Sequence, residues 1–317
     1  MRSSEYQIRE PDHSRLGKQV DQKTGQLKKQ TEQAARTTGH SPGRIPKGKK
    51  MATILDRLAA HAAERVAQKK KTVSLEEIRE KAAALYRDQP ADAAFAFERA
   101  LSGEGIHFIC ECKKASPSKG RIAPDFPYLE IARSYQAAGA SAISVLTEPK
   151  WFLGEDRFLQ EIAAEVTIPC LRKDFTVDPY MIYEAKLLGA SAVLLICAIL
   201  DDEQLAEYLE TAHSLGLSAL VEAHDESEVR RAMAAGARII GVNNRDLHTF
   251  EVDINNSVRL RSLIPKDRIY VSESGIRNAD DVGVLYRNGT NAVLIGETLM
   301  RSLDKGSLLM ELRSKCI

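Results

Sequence analysis

A short pattern recurs at four places along the chain, and its spacing limits the folds available. Each copy is a glycine followed by small and then apolar residues, and the four glycines are Gly139, Gly189, Gly236 and Gly289. Glycine can adopt the left-handed conformation that ends a helix, and a short β-branched run is typical of a buried strand. The intervals between the first two and the last two glycines, 50 and 53 residues, each fit two strand–helix units. The repeat therefore predicts alternating helices and parallel strands.

Counting these units along the chain predicts eight strands, each followed by a helix. They are expected at residues 107–113, 142–147, 168–173, 192–198, 218–223, 239–244, 268–273 and 292–296. Reactive side chains follow six of them, and in an open sheet those strand ends would be spread along a line. In a closed barrel they converge on one rim. We therefore predict an α/β fold, a (β/α)8 TIM barrel with extra N-terminal helices.

The segment before the first strand has helical periodicity. Apolar residues recur at helical spacing over 54–66, and a capping box that begins at Ser74 predicts a second helix. A third helix is expected over 91–101, ending before Gly103. Three helices over 51–102 are thus predicted to precede strand one.

Residues 1–50 differ from the rest in composition. They contain 12 Lys and Arg against 5 Asp and Glu and few aliphatic residues, so they cannot bury enough apolar surface to fold. We predict a disordered basic extension or leader ahead of a second start at Met51, with 51–317 forming the barrel domain. The acidic residues are atypical of a targeting peptide, and a nucleic-acid-binding arm is the weaker alternative. The whole chain has a net charge of +1, so neither a nucleic-acid nor a membrane partner is expected.

The cysteines and histidines show no metal-ligand spacing, so no metal is predicted. The five cysteines also lack the spacing of a disulfide framework and no secretory segment is evident, which predicts free thiols in a reducing compartment and a cytoplasmic location. No apolar run approaches the length of a membrane span. The glycine-rich loops match neither a dinucleotide nor a Walker motif, and we expect no nucleotide cofactor.

Two glycine-containing loops follow the last two strands, where barrels often bind phosphate. They are Ser272-Glu-Ser-Gly275 and Gly296-Glu-Thr-Leu-Met300. Glycine lets backbone N–H groups approach an anion, and a helix N-terminus adds partial positive charge. We predict a phosphate subsite here, which requires Glu297 to turn its carboxylate away.

Charged and amide side chains mark the predicted rim. Strand alternation places Glu111 beside Lys113 and Asn243 beside Arg245. Lys173, Glu222 and Glu273 each end a strand. Any one of these could be a simple rim salt bridge, but together acids and bases offer both a proton donor and an acceptor. The rim therefore predicts an enzyme that uses general acid–base chemistry.

Five motifs occur in order at the strand ends. They are Glu111-Cys-Lys-Lys-Ala-Ser-Pro-Ser-Lys-Gly120, Leu171-Arg-Lys-Asp-Phe175, Val221-Glu222, Gly241-Val-Asn-Asn-Arg-Asp-Leu-His-Thr-Phe250 and Ser272-Glu-Ser-Gly-Ile276. From about residue 51 onward, the chain resembles the indole-3-glycerol-phosphate synthases of tryptophan biosynthesis. The resemblance implies a cofactor-free lyase that converts 1-(2-carboxyphenylamino)-1-deoxyribulose 5-phosphate to indole-3-glycerol phosphate with loss of CO2 and water. The implied partner is this small phosphosugar–anthranilate substrate, and a monomer is the working expectation.

The resemblance also implies roles for particular residues. Lys173 or Lys113 would act as general acid, with Glu222 as the partner in proton transfer. The positions that orient the lysines and the substrate are Glu111, Asn243, Glu273 and Ser274. The positions that bind the substrate are Arg245 for its carboxylate, Phe175 for its ring, and Ser116, Gly275, Gly296 and Glu297 for its phosphate. The loop 114–120 would be a mobile lid.

Two alternative functions remain open. Another phosphosugar barrel, such as phosphoribosylanthranilate isomerase, needs one acid and one base but neither two lysines nor the helices before strand one. A non-catalytic module could bind nucleic acid through the basic segment 1–50, which would make binding strongly salt-dependent.

Overall fold

The computed structural model describes residues 53–246 and 249–316. The predicted disordered extension, residues 1–50, lies outside the described residues. The strands are β1 His107–Cys112, β2 Ala115–Ser116, β3 Gly120–Arg121, β4 Ala142–Leu146, β5 Cys170–Lys173, β6 Ala192–Ile196, β7 Ser218–Ala223, β8 Ile239–Asn243, β9 Ile269–Glu273 and β10 Ala292–Ile295. The helices are α1 Ile54–Lys69, α2 Leu75–Arg87, α3 Ala96–Ala100, α4 Tyr128–Ala137, α5 Asp156–Glu165, α6 Pro179–Leu187, α7 Asp202–Ser214, α8 Glu226–Ala234, α9 Asn255–Leu260, α10 Ala279–Arg287, α11 Glu297–Arg301 and α12 Lys305–Arg313. Short 3-10 helices occupy Ala91–Ala93, Cys197–Ile199 and Arg261–Leu263.

Eight strands close into a parallel barrel, as the repeat predicts. Their order around the barrel is β1, β10, β9, β8, β7, β6, β5, β4, and β4 pairs with β1 to complete the ring. The remaining two strands, β2 and β3, form a small antiparallel hairpin in the loop after β1. The predicted (β/α)8 barrel is therefore confirmed, and all eight carboxyl ends open on one face.

Two layers of apolar side chains form the core. Alternate residues of each strand, such as Ile109, Leu171 and Leu220, fill the barrel interior. The residues between them, such as Phe108 and Val221, pack outward against the surrounding helices. This alternation follows from the period of two along a strand, and it explains why the strands are apolar along most of their length.

The helices α1 and α2 lie where the sequence predicts them. Their N-caps are Thr53, in a full capping box, and Ser74. Ser74 Oγ accepts from the backbone N–H of Glu77 at 3.1 Å, but the carboxylate of Glu77 pairs with Lys81 instead of returning to the cap. The second box is therefore only half formed.

The predicted third helix over residues 91–101 is wrong as a continuous element. It is broken at Phe95, which has the left-handed φ of 56° and separates a 3-10 turn from α3. The Phe95 N–H donates to the carbonyl of Gly216 at 2.7 Å, and the Arg238 guanidinium lies 4.1 Å from its ring centroid. Glu98 N–H donates to Ser218 Oγ at the start of β7. These contacts turn the chain so that α3 covers the amino end of the barrel.

A buried ion-pair network joins α1 to the opposite, carboxyl end of the barrel. Arg65 forms two hydrogen bonds with Asp174, of 3.1 and 2.7 Å, and Thr147 Oγ1 donates to the same carboxylate. Arg172, which is almost fully buried, pairs with Glu184 at 2.7 Å. Since Asp174 directly follows Lys173, this network fixes the backbone that presents the lysine.

Two further observations concern the chain's environment. No helix in residues 53–246 and 249–316 has the length and apolar character needed to cross a membrane. All five cysteines are free, and all except the partly exposed Cys316 are buried.

Candidate active site

A cavity of about 940 Å³ opens at the carboxyl ends of the barrel strands. Every residue that the sequence analysis assigned to catalysis or substrate binding lines it. These are Glu111, Lys113, Ser116, Lys173, Phe175, Glu222, Asn243, Arg245, Glu273, Ser274, Gly275, Gly296 and Glu297. The structure therefore brings together side chains from six strands and the loops that follow them.

The centre of the cavity floor is a lysine between carboxylates. Lys173 Nζ, at the end of β5, lies 3.5 Å from Glu222 Oε2 and 3.8 Å from Glu273 Oε2. The side chain of Asn243 also hydrogen-bonds to Glu222. All three charged side chains are largely buried, so their charges act on each other with little screening by water.

Burial and mutual charge set the protonation of this centre. Burial opposes the charged form of Lys173, but the carboxylates of Glu222, Glu273 and Glu111 outweigh it and raise the lysine's pKa. Burial likewise opposes ionisation of Glu222, yet Lys173 and His224 lower its pKa. Burial and the charge of Glu222 raise the pKa of Glu273 to about 8. The pKa values of the two carboxyl groups are therefore displaced in opposite directions, which favours the ionised form of Glu222 and disfavours that of Glu273.

A second lysine–glutamate pair lies beside the first. Lys113 Nζ forms an ion pair with Glu111 Oε1, as strand alternation predicts. A Cβ on Gly296 would lie 2.2 Å from that carboxylate oxygen and 2.8 Å from Lys113 Nζ. Gly296 thus makes room for this ion pair, a function that its assignment to phosphate binding did not anticipate.

Gly241 makes room for the first centre in the same way. It lies inside the barrel on β8, and a Cβ there would be 2.1 Å from Glu273 Oε1. The carboxylate of Glu273 therefore occupies space that any other residue at this position would fill.

The loop after β8 holds Arg245 at the cavity wall. The backbone N–H of Arg245 donates to Asn243 Oδ1 at 3.1 Å, and its guanidinium donates to the carbonyl of Phe250 at 3.2 Å. Asn244, on the opposite face, is buried and donates to Ser272 Oγ and to the carbonyl of Ser274. Asn244 thereby fixes the loop after β8 against the loop after β9.

The predicted phosphate loops meet at one end of the cavity. Ser274 and Gly275 both have left-handed φ values, 68° and 83°, so the chain turns sharply after β9. Thr298 Oγ1 donates to the carbonyl of Ile276 and links the loops after β9 and β10. The carboxylate of Glu297 is engaged by Arg301 at 3.0 Å.

The loop after β1, which the resemblance predicts to be a lid, reaches the same end of the cavity. Ser116 and Lys119 both line the cavity, and Lys119 Nζ lies 3.8 Å from the carboxylate of Glu297. The hairpin of β2 and β3 therefore covers the predicted phosphate subsite.

Apolar side chains form the opposite wall. Phe175 is nearly buried, and its ring centroid lies 6.1 Å from that of Phe152. The helix α1 contributes Ile54, Leu55 and Leu58. This wall offers a planar aromatic group a surface on which to pack.

Three positions near the site were not assigned from the sequence. His224 contacts Glu222 from behind, Gly241 accommodates Glu273, and Asn244 fixes the turn after β9. Gly241 and Asn244 lie within the motif of residues 241–250, and His224 lies two residues after Glu222, but no spacing in the sequence indicated these contacts. Across residues 53–246 and 249–316, His, Cys, Asp and Glu side chains form no cluster of three or more with the geometry of a metal site.

The chain is similar in sequence to several known proteins. A sequence profile described as indole-3-glycerol phosphate synthase matches residues 55–312. The enzyme of that name from Ruminiclostridium cellulolyticum is 58% identical over 260 residues, which cover 82% of this chain and 98% of the relative. The one from Lachnoclostridium phytofermentans is 48% identical and covers 82% of this chain and 99% of its own.

A solved structure supports the fold independently. The crystal structure of 3-hexulose-6-phosphate synthase from Salmonella typhimurium has a TM-score of 0.55 at 14% identity, covering 65% of this chain and 96% of that one. At that identity the likeness concerns the barrel alone. The sequence profile and the two relatives carry the assignment further. The chain therefore belongs to the indole-3-glycerol phosphate synthase family.

Proposed function

We propose that this barrel converts 1-(2-carboxyphenylamino)-1-deoxyribulose 5-phosphate to indole-3-glycerol phosphate, releasing CO2 and water. The reaction is that of a carbon–carbon lyase. The observation that carries the proposal is the convergence of two lysine–glutamate pairs, an arginine and an aromatic wall on one cavity. Such a cavity supplies proton donors and acceptors for the reacting carbons and distinct surfaces for the substrate's two ends.

The chemistry requires two proton transfers to oxygen. Ring closure joins the aromatic carbon to the ketone carbon, and a general acid protonates the ketone oxygen as the bond forms. Loss of CO2 restores the aromatic electrons. The resulting hydroxyl then leaves as water, with a proton from an acid, while a base removes a proton from the ring system.

Lys173 and Lys113 are the candidates for the acid steps. Each is paired with a carboxylate within the cavity, which orients the side chain that would give the proton. Glu222 is ionised and is our candidate for the base that takes the proton. Glu273, whose Oε2 lies 3.8 Å from Lys173 Nζ, is our candidate for the group that orients the lysine.

Substrate binding follows from the remaining wall residues. Arg245 is proposed to bind the substrate carboxylate, for which a guanidinium fork is well suited. Phe175 would pack on the anthranilate ring. Ser116, Gly275 and the backbone at Gly296 and Glu297 would bind the phosphate.

The free thiols bear on the compartment in which the protein works. Four of the five free cysteines are buried, and a chain that folds around free thiols suits a reducing compartment such as the cytoplasm. We propose the cytoplasm as its location and a monomer as its working state.

Two substitutions test the acid–base assignment directly. Lys173→Met and Glu222→Gln are each expected to lower kcat by about 10²- to 10⁴-fold, because each removes a proton donor or acceptor without opening a large cavity. The measurement is the rise of indole fluorescence under saturating substrate. Circular dichroism and urea unfolding confirm that each variant is folded.

A matched ion pair on the surface provides the control. Lys81 and Glu77 pair at 2.7 Å on an exposed face of α2. Lys81→Met and Glu77→Gln remove the same groups far from the cavity and are expected to leave kcat unchanged. Wild-type turnover by Lys173→Met or Glu222→Gln would overturn the role assigned to that residue.

A further inference from the structure

His224 links the site to a helix outside the cavity. It lies two residues after Glu222, and its ring Nε2 is 3.4 Å from Glu222 Oε1, which is ion-pair distance without the alignment of a hydrogen bond. On the other side, Nδ1 is 3.0 Å from Glu228 Oε2, on α8. The same carboxylate oxygen accepts the backbone N–H of His224 at 2.7 Å. The imidazole therefore bridges two carboxylates, and all three side chains are largely buried.

The hydrogen bond to Glu228 determines what the ring presents to Glu222. Nδ1 must carry a proton to donate to the Glu228 carboxylate, so a neutral ring would leave an unprotonated Nε2 only 3.4 Å from Glu222 Oε1. Two electron-rich atoms at this distance repel each other. An imidazolium carries a proton on both nitrogens and attracts both carboxylates.

The charges around the ring favour this imidazolium. Burial works to lower the pKa of His224, but Glu228 on α8, Glu222 on β7 and Glu273 on β9 together raise it. The nearby cation Lys173 faces the other oxygen of Glu222. From α9, the neutral amide of Asn256 donates to the carbonyl of His224.

We infer that His224, held by Glu228, is a positioning residue whose imidazolium holds one oxygen of Glu222 while Lys173 holds the other. Glu222 lines the cavity, whereas His224 is outside its lining and acts through Glu222. The inference rests on the role proposed above for Glu222. It extends that role by naming the pair that keeps the carboxylate ionised and aimed at the substrate.

The pair makes turnover depend on pH in a defined direction. The raised pKa of His224 means that the imidazolium persists below that pKa and is lost as the pH rises through it. Glu222 then loses one of its two cations and faces a lone pair. We therefore expect kcat to fall on the alkaline side of this titration.

The first test measures the ring itself, without substrate. Histidine side chains of the full protein are ¹⁵N-labelled and titrated by NMR, and His224→Phe identifies the resonance. We expect His224 to titrate above the ordinary value of 6.5 and to titrate lower in Glu228→Gln and in Glu222→Gln. Titration below 6.5 in the wild type, or no change in either variant, would overturn the inference.

The second test measures kcat and KM against pH. In His224→Phe, kcat at neutral pH is expected to fall about 10- to 100-fold with little change in KM, and the alkaline limb of the profile should disappear. Glu228→Gln keeps the ring, so it should retain the limb but shift it to lower pH. If His224 only stabilised the fold, these substitutions would leave the alkaline limb of the kcat profile at the same pH.

The control is on the same helix. Glu226 is an exposed glutamate of α8 that pairs with Arg230, and Glu226→Gln should leave the profile unchanged. A His224→Phe profile that matched the wild type would overturn the inference alone. Full activity of Glu222→Gln would instead overturn the role proposed for Glu222, and no turnover by folded wild-type protein would overturn the proposed function, while the NMR titration would still report whether the ring contacts Glu222.

Discussion

The glycine inside the barrel, Gly241, gives a quantitative test of how closely the site is packed. A Cβ there would lie 2.1 Å from Glu273 Oε1 and 3.0 Å from a methyl carbon of Leu220. In Gly241→Ala, the carboxylate has to retreat by about 1 Å to reach an ordinary contact distance. Glu273 lines the cavity with its Oε2 3.8 Å from Lys173 Nζ, so its retreat alters the contact that places the lysine.

Both stability and turnover should respond to this displacement. Overpacking a filled interior costs about 1–3 kcal/mol, and we expect the free energy of unfolding to fall by that amount. A catalytic group displaced by about 1 Å costs about 10²-fold, so kcat should fall by roughly that factor. Urea unfolding and the fluorescence assay for indole formation measure the two effects.

Two further variants identify the source of the cost. Gly306→Ala adds a Cβ at an ordinary 3.4 Å from Asp304 Oδ1, and it should be neutral or slightly stabilising. In the double variant Gly241→Ala with Glu273→Asp, the shorter side chain should relieve the overlap and return most of the stability without returning the activity. The free energy of unfolding lost through Gly241→Ala is compared in the wild type and in the Glu273→Asp variant. An equal loss in the two backgrounds would refute the proposed overlap.

The buried ion pair of Arg65 and Asp174, the thiols and the predicted phosphate loop can each be tested. Arg65→Met should lower the free energy of unfolding by about 3 kcal/mol at neutral pH, because it leaves the buried Asp174 without its bidentate partner. Although burial opposes ionisation of Asp174, Arg65 helps to hold the pKa of its carboxyl below the ordinary value of 3.8. The difference in free energy of unfolding between Arg65→Met and the wild type, measured with urea, should therefore narrow as the pH falls below that value. A difference that stayed constant would contradict the pairing. In native protein treated with Ellman's reagent at neutral pH, one thiol, that of Cys316, should react rapidly. Rapid reaction of more than one thiol would contradict the buried placement of the others. Gly275→Asp should raise KM about tenfold or more because it places a negative charge in the phosphate loop and a Cβ 2.4 Å from Val252, and an unchanged KM in steady-state assays would contradict that subsite.

The fold could be predicted from the sequence because its signals are local. Glycines such as Gly139 and Gly189 end helices through their own left-handed φ, 79° and 83°, and the buried strands after them need only apolar residues. The number of such units, with reactive groups at the strand ends, then favours a closed barrel. The break at Phe95 could not be predicted, because it depends on contacts with Gly216 and Arg238, which are distant in sequence.

The site could be predicted only in part for a similar reason. Strand alternation correctly paired Glu111 with Lys113, since two residues on one strand face the same way. Lys173 and Glu222 lie on different strands, so their contact could be predicted only once the strands were placed in a closed barrel. Their partnership in proton transfer came from the family resemblance of the motifs. The bridging of His224 to Glu228 and the space left by Gly241 depend on packing between elements, which no spacing in the sequence reports.

The most direct measurement of the central claim is product formation by the purified protein. The protein is mixed with 1-(2-carboxyphenylamino)-1-deoxyribulose 5-phosphate in the presence of EDTA, and indole fluorescence is followed with time. We predict a rise for the wild type that falls at least 10²-fold in Lys173→Met. Folded wild-type protein that gave no rise, or Lys173→Met protein that turned over at the wild-type rate, would contradict the account.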